Sequence, residues 1–137
     1  EQLQQVVDYD GASVLILEGD ELRNVAHRGP IPHGAQSQMR LKRAQAGELW
    51  EALEGHQPLM IGDVQGDTWL AQAFRQAFGE YMNREMGYVR TWVGVPLMVH
   101  EQLIGWLSLH HSEPRAYAQH HAALAQTIAN QAPAMLA

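Results

Sequence analysis

Two kinds of hydrophobic spacing alternate along the chain. Thr91 to Arg115 (TWVGVPLMVHEQLIGWLSLHHSEPR) holds two apolar runs around a short polar break, then a Ser-Glu-Pro turn. That is the pattern of a β-hairpin. A first hairpin reads from Ala12 to Glu18 and from Leu22 to Arg28, around Gly19-Asp20. Within it, Val14-Leu15-Ile16-Leu17 has no polar alternation, so this strand needs cover on both faces of its sheet. Ser37 to Leu41 and Leu59 to Ile61 read as short extended pieces, and Gly29 to Gly34 (GPIPHG) as a loop.

Elsewhere the apolar residues recur at three and four, the helical spacing. Leu3, Val6 and Val7 mark a helix over Glu1 to Asp8. Leu49, Trp50 and Leu53 mark one from Gly47 to Glu54, closed by a left-handed Gly55 and by Pro58. Asp67 or Thr68 caps a long helix that carries Leu70, Phe74, Ala77, Phe78, Tyr81, Met82 and Met86. Gly87 ends it, and Gly79 inside it marks a bend. The last helix has one stripe of Tyr117, Leu124, Ile128 and Met135 and a second of Ala118, Ala122, Ala125, Ala129 and Ala132. Pro133 kinks or ends it. Helix, hairpin, small elements, helix, hairpin, helix is an α+β arrangement in three layers.

The second hairpin sorts its residues by parity. With a His100-Glu101-Gln102 loop, Val99 faces Leu103, Trp92 faces His110, Gly94 faces Ser108 and Pro96 faces Trp106. The even face holds the small and polar positions and is assigned to a pocket. The odd face (Val93, Val95, Leu97, Leu103, Leu107, Leu109) is aliphatic and is assigned to the terminal helices. Trp92, Trp106, Ser108 and His110 are therefore candidate pocket residues, and the two indoles fill much of any cavity. Phe74 and Tyr81 are core residues of the long helix with a residual face toward the pocket. Arg90 lies on the face of Trp92. It is a candidate partner for an anionic ligand at the pocket mouth, or for a nearby acid. Asp63 and Asp67 are turn and cap residues.

Composition narrows the function. The 137 residues are 46% hydrophobic and 18% charged, enough for one domain with a core. A net charge of -6 is the wrong sign for a nucleic-acid surface. No apolar run has the length of a membrane span and no signal-peptide pattern is present. The chain has no cysteine, so thiol chemistry and thioether attachment are excluded. Eight histidines raise the question of metal. His110 and His111 face opposite ways in a strand, and His120 and His121 are expected to diverge on a helix. Only His110 with His121 remains, across the strand-to-helix turn. No phosphate loop, catalytic triad order or zinc-protease motif occurs, so no enzyme activity is expected.

The element order, together with Thr91, Gly94-Val95-Pro96-Leu97, Ile104-Gly105 and Pro114-Arg115, resembles a GAF domain over essentially the whole chain. Asp10-Gly11-Ala12-Ser13 and Ile61-Gly62-Asp63-Val64 also match family positions. The resemblance implies a GAF-like (PAS-like) antiparallel sheet of five or six strands, terminal helices on one face and pocket helices on the other. It also implies a sensory module of a bacterial signalling protein, such as a two-component histidine kinase or a cyclic-dinucleotide enzyme. That module would be cytoplasmic, bind a small molecule, dimerise through its N- and C-terminal helices and be fused to an output domain. Contact with nucleic acid or membrane is not expected. The chain, which opens inside a helix without Met, is expected to be a single domain, residues 1–137, cut from a longer protein. Glu80-Tyr81-Met82 and His110-His111 look like the bilin-binding branch, but Ala77 and Phe78 stand where that branch has Cys-His. The alternative reading is therefore a noncovalent tetrapyrrole sensor, bilin or haem, with His27 or His110 as a haem ligand; otherwise no cofactor is expected. The Asn-Lys signature of cyclic-nucleotide GAF domains is not found, and the cysteines of GAF-type methionine sulfoxide reductases are missing.

Overall fold

A computed structural model describes residues 9–28, 40–55, 57–84 and 86–136, with 27, 28 and 131–136 described by backbone alone. The helix expected at Glu1 to Asp8, the GPIPHG loop and residues 37–39 lie outside the described residues. The first hairpin is β1 (Gly11–Glu18) and β2 (Glu21–Arg28), and the second is β5 (Thr91–Val99) and β6 (Gln102–His111). β3 (Arg40–Lys42) and β4 (Leu59–Ile61) are short. Together they form one six-stranded sheet in the order β3-β2-β1-β6-β5-β4. Every neighbouring pair is antiparallel. The two hairpins join through β1 and β6, so β1, with its unbroken apolar run Val14-Leu15-Ile16-Leu17, is central, as that lack of alternation requires. Short β3 and β4 at the rims leave few free ladder groups.

Along most of the second hairpin the register follows the parity argument: Trp92 faces His110, Gly94 faces Ser108 and Pro96 faces Trp106. The turn departs from it. His100 and Glu101 form a two-residue turn with φ of 51° and 67°, the pair of positive angles that matches the twist of a hairpin. Val99 consequently faces Gln102, and a register shift after Leu97 leaves Ile104 as the extra residue of a bulge. A one-residue slip exchanges the faces of a strand. Leu103 therefore packs into the pocket-side core instead of the aliphatic face, and Ile104 takes the aliphatic side.

That aliphatic face (Val93, Val95, Leu97, Leu107, Leu109) packs against Tyr117 and against Ala122, Ala125 and Ala129 of the last helix, α4 (Gln119–Leu136). The middle of the alanine stripe thus rests on the sheet, where methyl side chains let the helix lie close. Ala118 is exposed, and Leu124 is 41% exposed. The helix runs through Pro133 rather than ending there.

The opposite face carries α1 (Arg43–Ala46), α2 (Glu48–Leu53) and α3 (Trp69–Phe78). Gly47, at φ 53°, separates α1 from α2; Gly55 is not left-handed, contrary to the sequence expectation. Thr68 caps α3 by accepting the Ala71 N–H at 3.1 Å. The helix then stops at Gly79, ten residues after its start, rather than at Gly87. Gly79 takes φ 52° and its N–H closes on the Arg75 carbonyl, a glycine helix terminus rather than a bend. A 3-10 turn, Gly79–Asn83, follows.

Thr91 holds the loops at one end of the sheet. Fully buried, it directs its hydroxyl to the carbonyls of Gly62 and Glu113 and accepts the Ala116 N–H at 3.1 Å. Arg115, at φ 54°, donates its own N–H to Gly62.

Candidate functional site

Strand register assembles a polar cluster on the helix-covered face of the sheet. β1 and β6 set Ser13 beside Ser108 and Gly11 beside His110, and β5 adds Trp92 beside His110. β2 sets Asn24 beside Leu15, next to an irregularity at Val14/Leu15. Ser13, Asn24, Ser108 and His110 are all buried. With Trp92, Leu15, Leu41, Arg40, Phe78 and Met86 they enclose a cavity of about 30 Å³. That is room for about one water, far below the roughly 300–1,000 Å³ of a typical ligand pocket.

The cluster is close to neutral. Burial pushes His110 down to about 4 from 6.5, so its imidazole is uncharged at pH 7. Its Nδ1 lies 3.3 Å from the Tyr88 hydroxyl. Burial, and then the charge of Asp10, push that hydroxyl up to about 12. The charge at the wall is Arg40, whose Nε stands 3.5 Å from Glu21. Asn24 differs from its neighbours. Its Nδ2 and Oδ1 are both buried with no hydrogen-bond partner, an arrangement that costs about 1–3 kcal/mol per group.

The cavity is small because Trp92 lies along its own strand. A Cβ at Gly94 would sit 2.4 Å from the Trp92 ring, so only glycine lets the indole fold down there. Phe74 backs that indole at 5.3 Å between ring centroids and Phe78 backs Phe74 at 4.7 Å.

Of the residues singled out from sequence, Trp92, Ser108 and His110 meet in this cavity, with Phe74 behind Trp92. The other three do not join them. Trp106 lines a separate cavity toward the hairpin turns. Tyr81 is carried away by the break at Gly79 and lies beside Arg84, whose guanidinium carbon is 5.7 Å from its ring centre. Arg90 is bound to Asp63 through two hydrogen bonds of 2.9 and 2.8 Å. Asp63 also accepts the Gln65 N–H, and its carboxyl falls to about 2, chiefly through Arg90. The sequence reading missed Ser13, Asn24 and Tyr88. Ser13 and Asn24 were visible as polar residues within the first hairpin. Finding them required knowing that β1 pairs with β6.

The histidine pairs behave in two ways. His110 faces the cavity, while the His111 ring meets Tyr117 at 5.9 Å and its Nδ1 accepts the Glu113 N–H. His120 and His121 do not diverge; their rings lie 4.0 Å apart. His121 instead accepts the Ala118 N–H, far from His110 in role. Among the described residues no group of three or more metal-ligating side chains comes together. Nor is any helix among them long and apolar enough to cross a membrane.

Comparison with known proteins places this geometry. No curated protein sequence matches the chain. Solved structures share its fold at low identity. The GAF domain of a phosphoenolpyruvate-protein phosphotransferase from Coxiella burnetii superposes with a TM-score of 0.74 at 19% identity, over 97% of this chain and 74% of that one. The GAF domain of the cyanobacteriochrome TePixJ gives 0.72 at 19%, over 98% and 82%. A type II free methionine-R-sulfoxide reductase from Thermoplasma acidophilum gives 0.68 at 16%, over 94% and 80%. The family model described as "GAF domain" matches residues 1–134. With the six-stranded sheet and its two covered faces in place, the chain belongs to the GAF domain family.

Proposed function

We propose that this domain is a regulatory module without catalytic activity that senses a compact, uncharged molecule at the Asn24 cavity. The observation that carries the reading is the doubly unpaired Asn24 amide. A carboxamide with both ends free is complementary to a ligand that offers one donor and one acceptor side by side, as a lactam, urea or amide does. Ser13, Ser108 and a neutral His110 surround it with further uncharged partners, and nothing in the cluster favours an anion except Arg40 at the wall. The closed form has too little room for such a ligand. Binding therefore selects a form in which the Trp92 and Phe78 rings have moved, and it relieves the unpaired amide in doing so. A tetrapyrrole demands a far larger opening than a compact ligand does. The absence of cysteine leaves no thiol for sulfoxide-reductase chemistry.

Output follows from the sheet. Ser13, Ser108, His110 and Trp92 stand on strands whose reverse face packs on α4. A ligand that binds one strand arrangement better than another shifts the population of α4 packings. In this reading α4 and the helix expected from sequence ahead of β1 pair with a second copy, and the signal passes to an output domain of a bacterial signalling protein in the cytoplasm. A melting-temperature screen against nucleotides, amino acids, organic acids, lactams and ureas tests it. A small neutral amide-like compound should raise the melting temperature, and Asn24→Leu should abolish that rise. A screen in which only charged compounds act, or none does, would overturn the reading.

A further inference from the structure

The first turn of α4 contains no acidic residue, the usual partner of a helix start. We propose that His121 is a proton-released clasp on that turn: neutral, it ties the turn shut through Ala118; charged, it lets residues 118–122 fray.

The clasp is one half of a capping box. α4 begins at Gln119, so Ala118 holds the cap position and His121 the third helical one. Alanine has no side-chain acceptor for the free N–H groups of a helix start. His121 supplies the reciprocal bond instead. Its Nδ1 accepts the Ala118 N–H at 2.8 Å, as a glutamate or glutamine does at that position. Its own backbone N–H reaches the Ala118 carbonyl at 3.0 Å, so two bonds close the turn. Next to it Ala122 is buried in the cluster between sheet and helix.

Only an imidazole nitrogen without a proton can accept there. Protonation puts a hydrogen on Nδ1, facing the N–H of Ala118. It also sets a positive charge at the positive end of the helix. The surroundings do not offset that charge. On the same helix the His120 ring lies 4.0 Å away. From the preceding loop the Tyr117 ring meets His121 at 5.6 Å, and His111 of β6 meets Tyr117 at 5.9 Å. Asp10, ahead of β1, is held by Ser112 and stands 3.6 Å from His111. Burial, and then the charge of His120, push the His121 imidazole below its usual 6.5. The Ala118 backbone, whose carbonyl would draw an imidazolium, opposes them without reversing the shift.

A group lowered on folding contributes fully above its unfolded value and loses that contribution as pH falls. The clasp is therefore closed above pH 6.5 and opens in mild acid. Opening stops short of Gln126, whose Nε2 donates to the Pro96 carbonyl at 3.0 Å and pins the helix to β5. The device stands whether or not the Asn24 cavity takes a ligand.

A titration of ¹³C,¹⁵N-labelled protein from about pH 7.5 to about pH 5, followed by NMR, tests it. The His121 ring should titrate below 6.5. The Ala118 amide and the Cα shifts of residues 119–122 should follow with the same midpoint, the Cα shifts moving toward coil values, while those of Gln126 and Ala129 stay. The open-to-closed ratio of the turn should rise about fivefold, the worth of a helix cap. His121→Gln keeps an acceptor that does not titrate, so residues 118–122 should stay helical across the range. In His110→Phe, which lacks the buried histidine of the sheet, the α4 response should persist. A His121 midpoint at or above 6.5, an Ala118 amide that does not follow it, a response retained in His121→Gln, or one lost in His110→Phe would each overturn the proposal. If a variant fails to fold, the titration of the unsubstituted protein still decides.

Discussion

Replacing Asn24 by Leu should make the protein more stable, which is unusual for a substitution at a buried site. In the folded state the amide has lost water at two polar atoms and gained no partner for either. Each unpaired group costs about 1–3 kcal/mol. Leucine removes both, adds apolar contact and suits a strand better than asparagine. It is also bulkier, and overpacking of a tight core costs roughly 1–3 kcal/mol. The adjoining cavity of about 30 Å³ takes up part of that bulk. The balance is a gain of about 2 kcal/mol. For 137 residues, unfolding entropy of about 2.1 cal/mol/K per residue converts this to a rise of about 7 °C in melting temperature. Urea unfolding followed by tryptophan fluorescence gives the same quantity as a shift in midpoint at constant slope. A loss of about 1 kcal/mol or more would show that the Asn24 amide is already paired in solution. The ligand-binding reading would then lose the observation on which it stands.

Three further outcomes follow from the same structure. His110 is lowered to about 4 when folded, against 6.5 unfolded, so between those pH values only the unfolded chain takes up the proton. Its contribution is complete above pH 6.5 and is lost as pH falls toward 4, on the order of 3 kcal/mol in all. Urea midpoints at pH 7 and pH 4.5 should differ less in His110→Phe than in the natural chain. Gly94→Ala places a methyl 2.4 Å from the Trp92 ring; the indole must lift, and near-ultraviolet circular dichroism should change while the far-ultraviolet spectrum stays. Thr91→Val keeps the shape of the side chain but strips hydrogen bonding from Gly62, Glu113 and Ala116. It should cost about 2 kcal/mol, read as a lower urea midpoint, with faster amide exchange in those loops.

The sheet was legible wherever a local rule governed it. Alternation and turn residues located both hairpins, and parity placed Trp92, Ser108 and His110 on one face because side-chain direction has a period of two. The same rule failed one turn away. His100-Glu101 folded as a two-residue turn and the bulge at Ile104 took up the difference, which turned Leu103 to the other face. A bulge leaves no mark in a run such as Gln102-Leu103-Ile104-Gly105, where every residue fits a strand. The long helix failed in a related way. Its apolar spacing continues past Gly79 to Met86, so periodicity alone favours one helix. The positive φ at Gly79 and the 3-10 turn after it instead carry Tyr81 out of the pocket region. Spacing records which face is apolar and not where the backbone stops obeying it.

Asn24 shows the deeper limit. In Leu22-Arg23-Asn24-Val25-Ala26 it reads as an ordinary polar residue of a strand with one wet face. Its burial follows from three long-range facts: β2 lies beside β1, β1 lies beside β6, and α3 covers that face. None of these is encoded within reach of residue 24. Arg90 shows the converse. Its charge suggested a ligand, and the fold gave it Asp63, twenty-seven residues earlier. A charged side chain that can find a partner generally does, because a bidentate carboxylate is the best match for a guanidinium. The informative polar residue in a candidate pocket is therefore the one the fold leaves without a partner. In the cavity beside His110 that is an uncharged amide, which is why this cavity should select a neutral ligand rather than an anion.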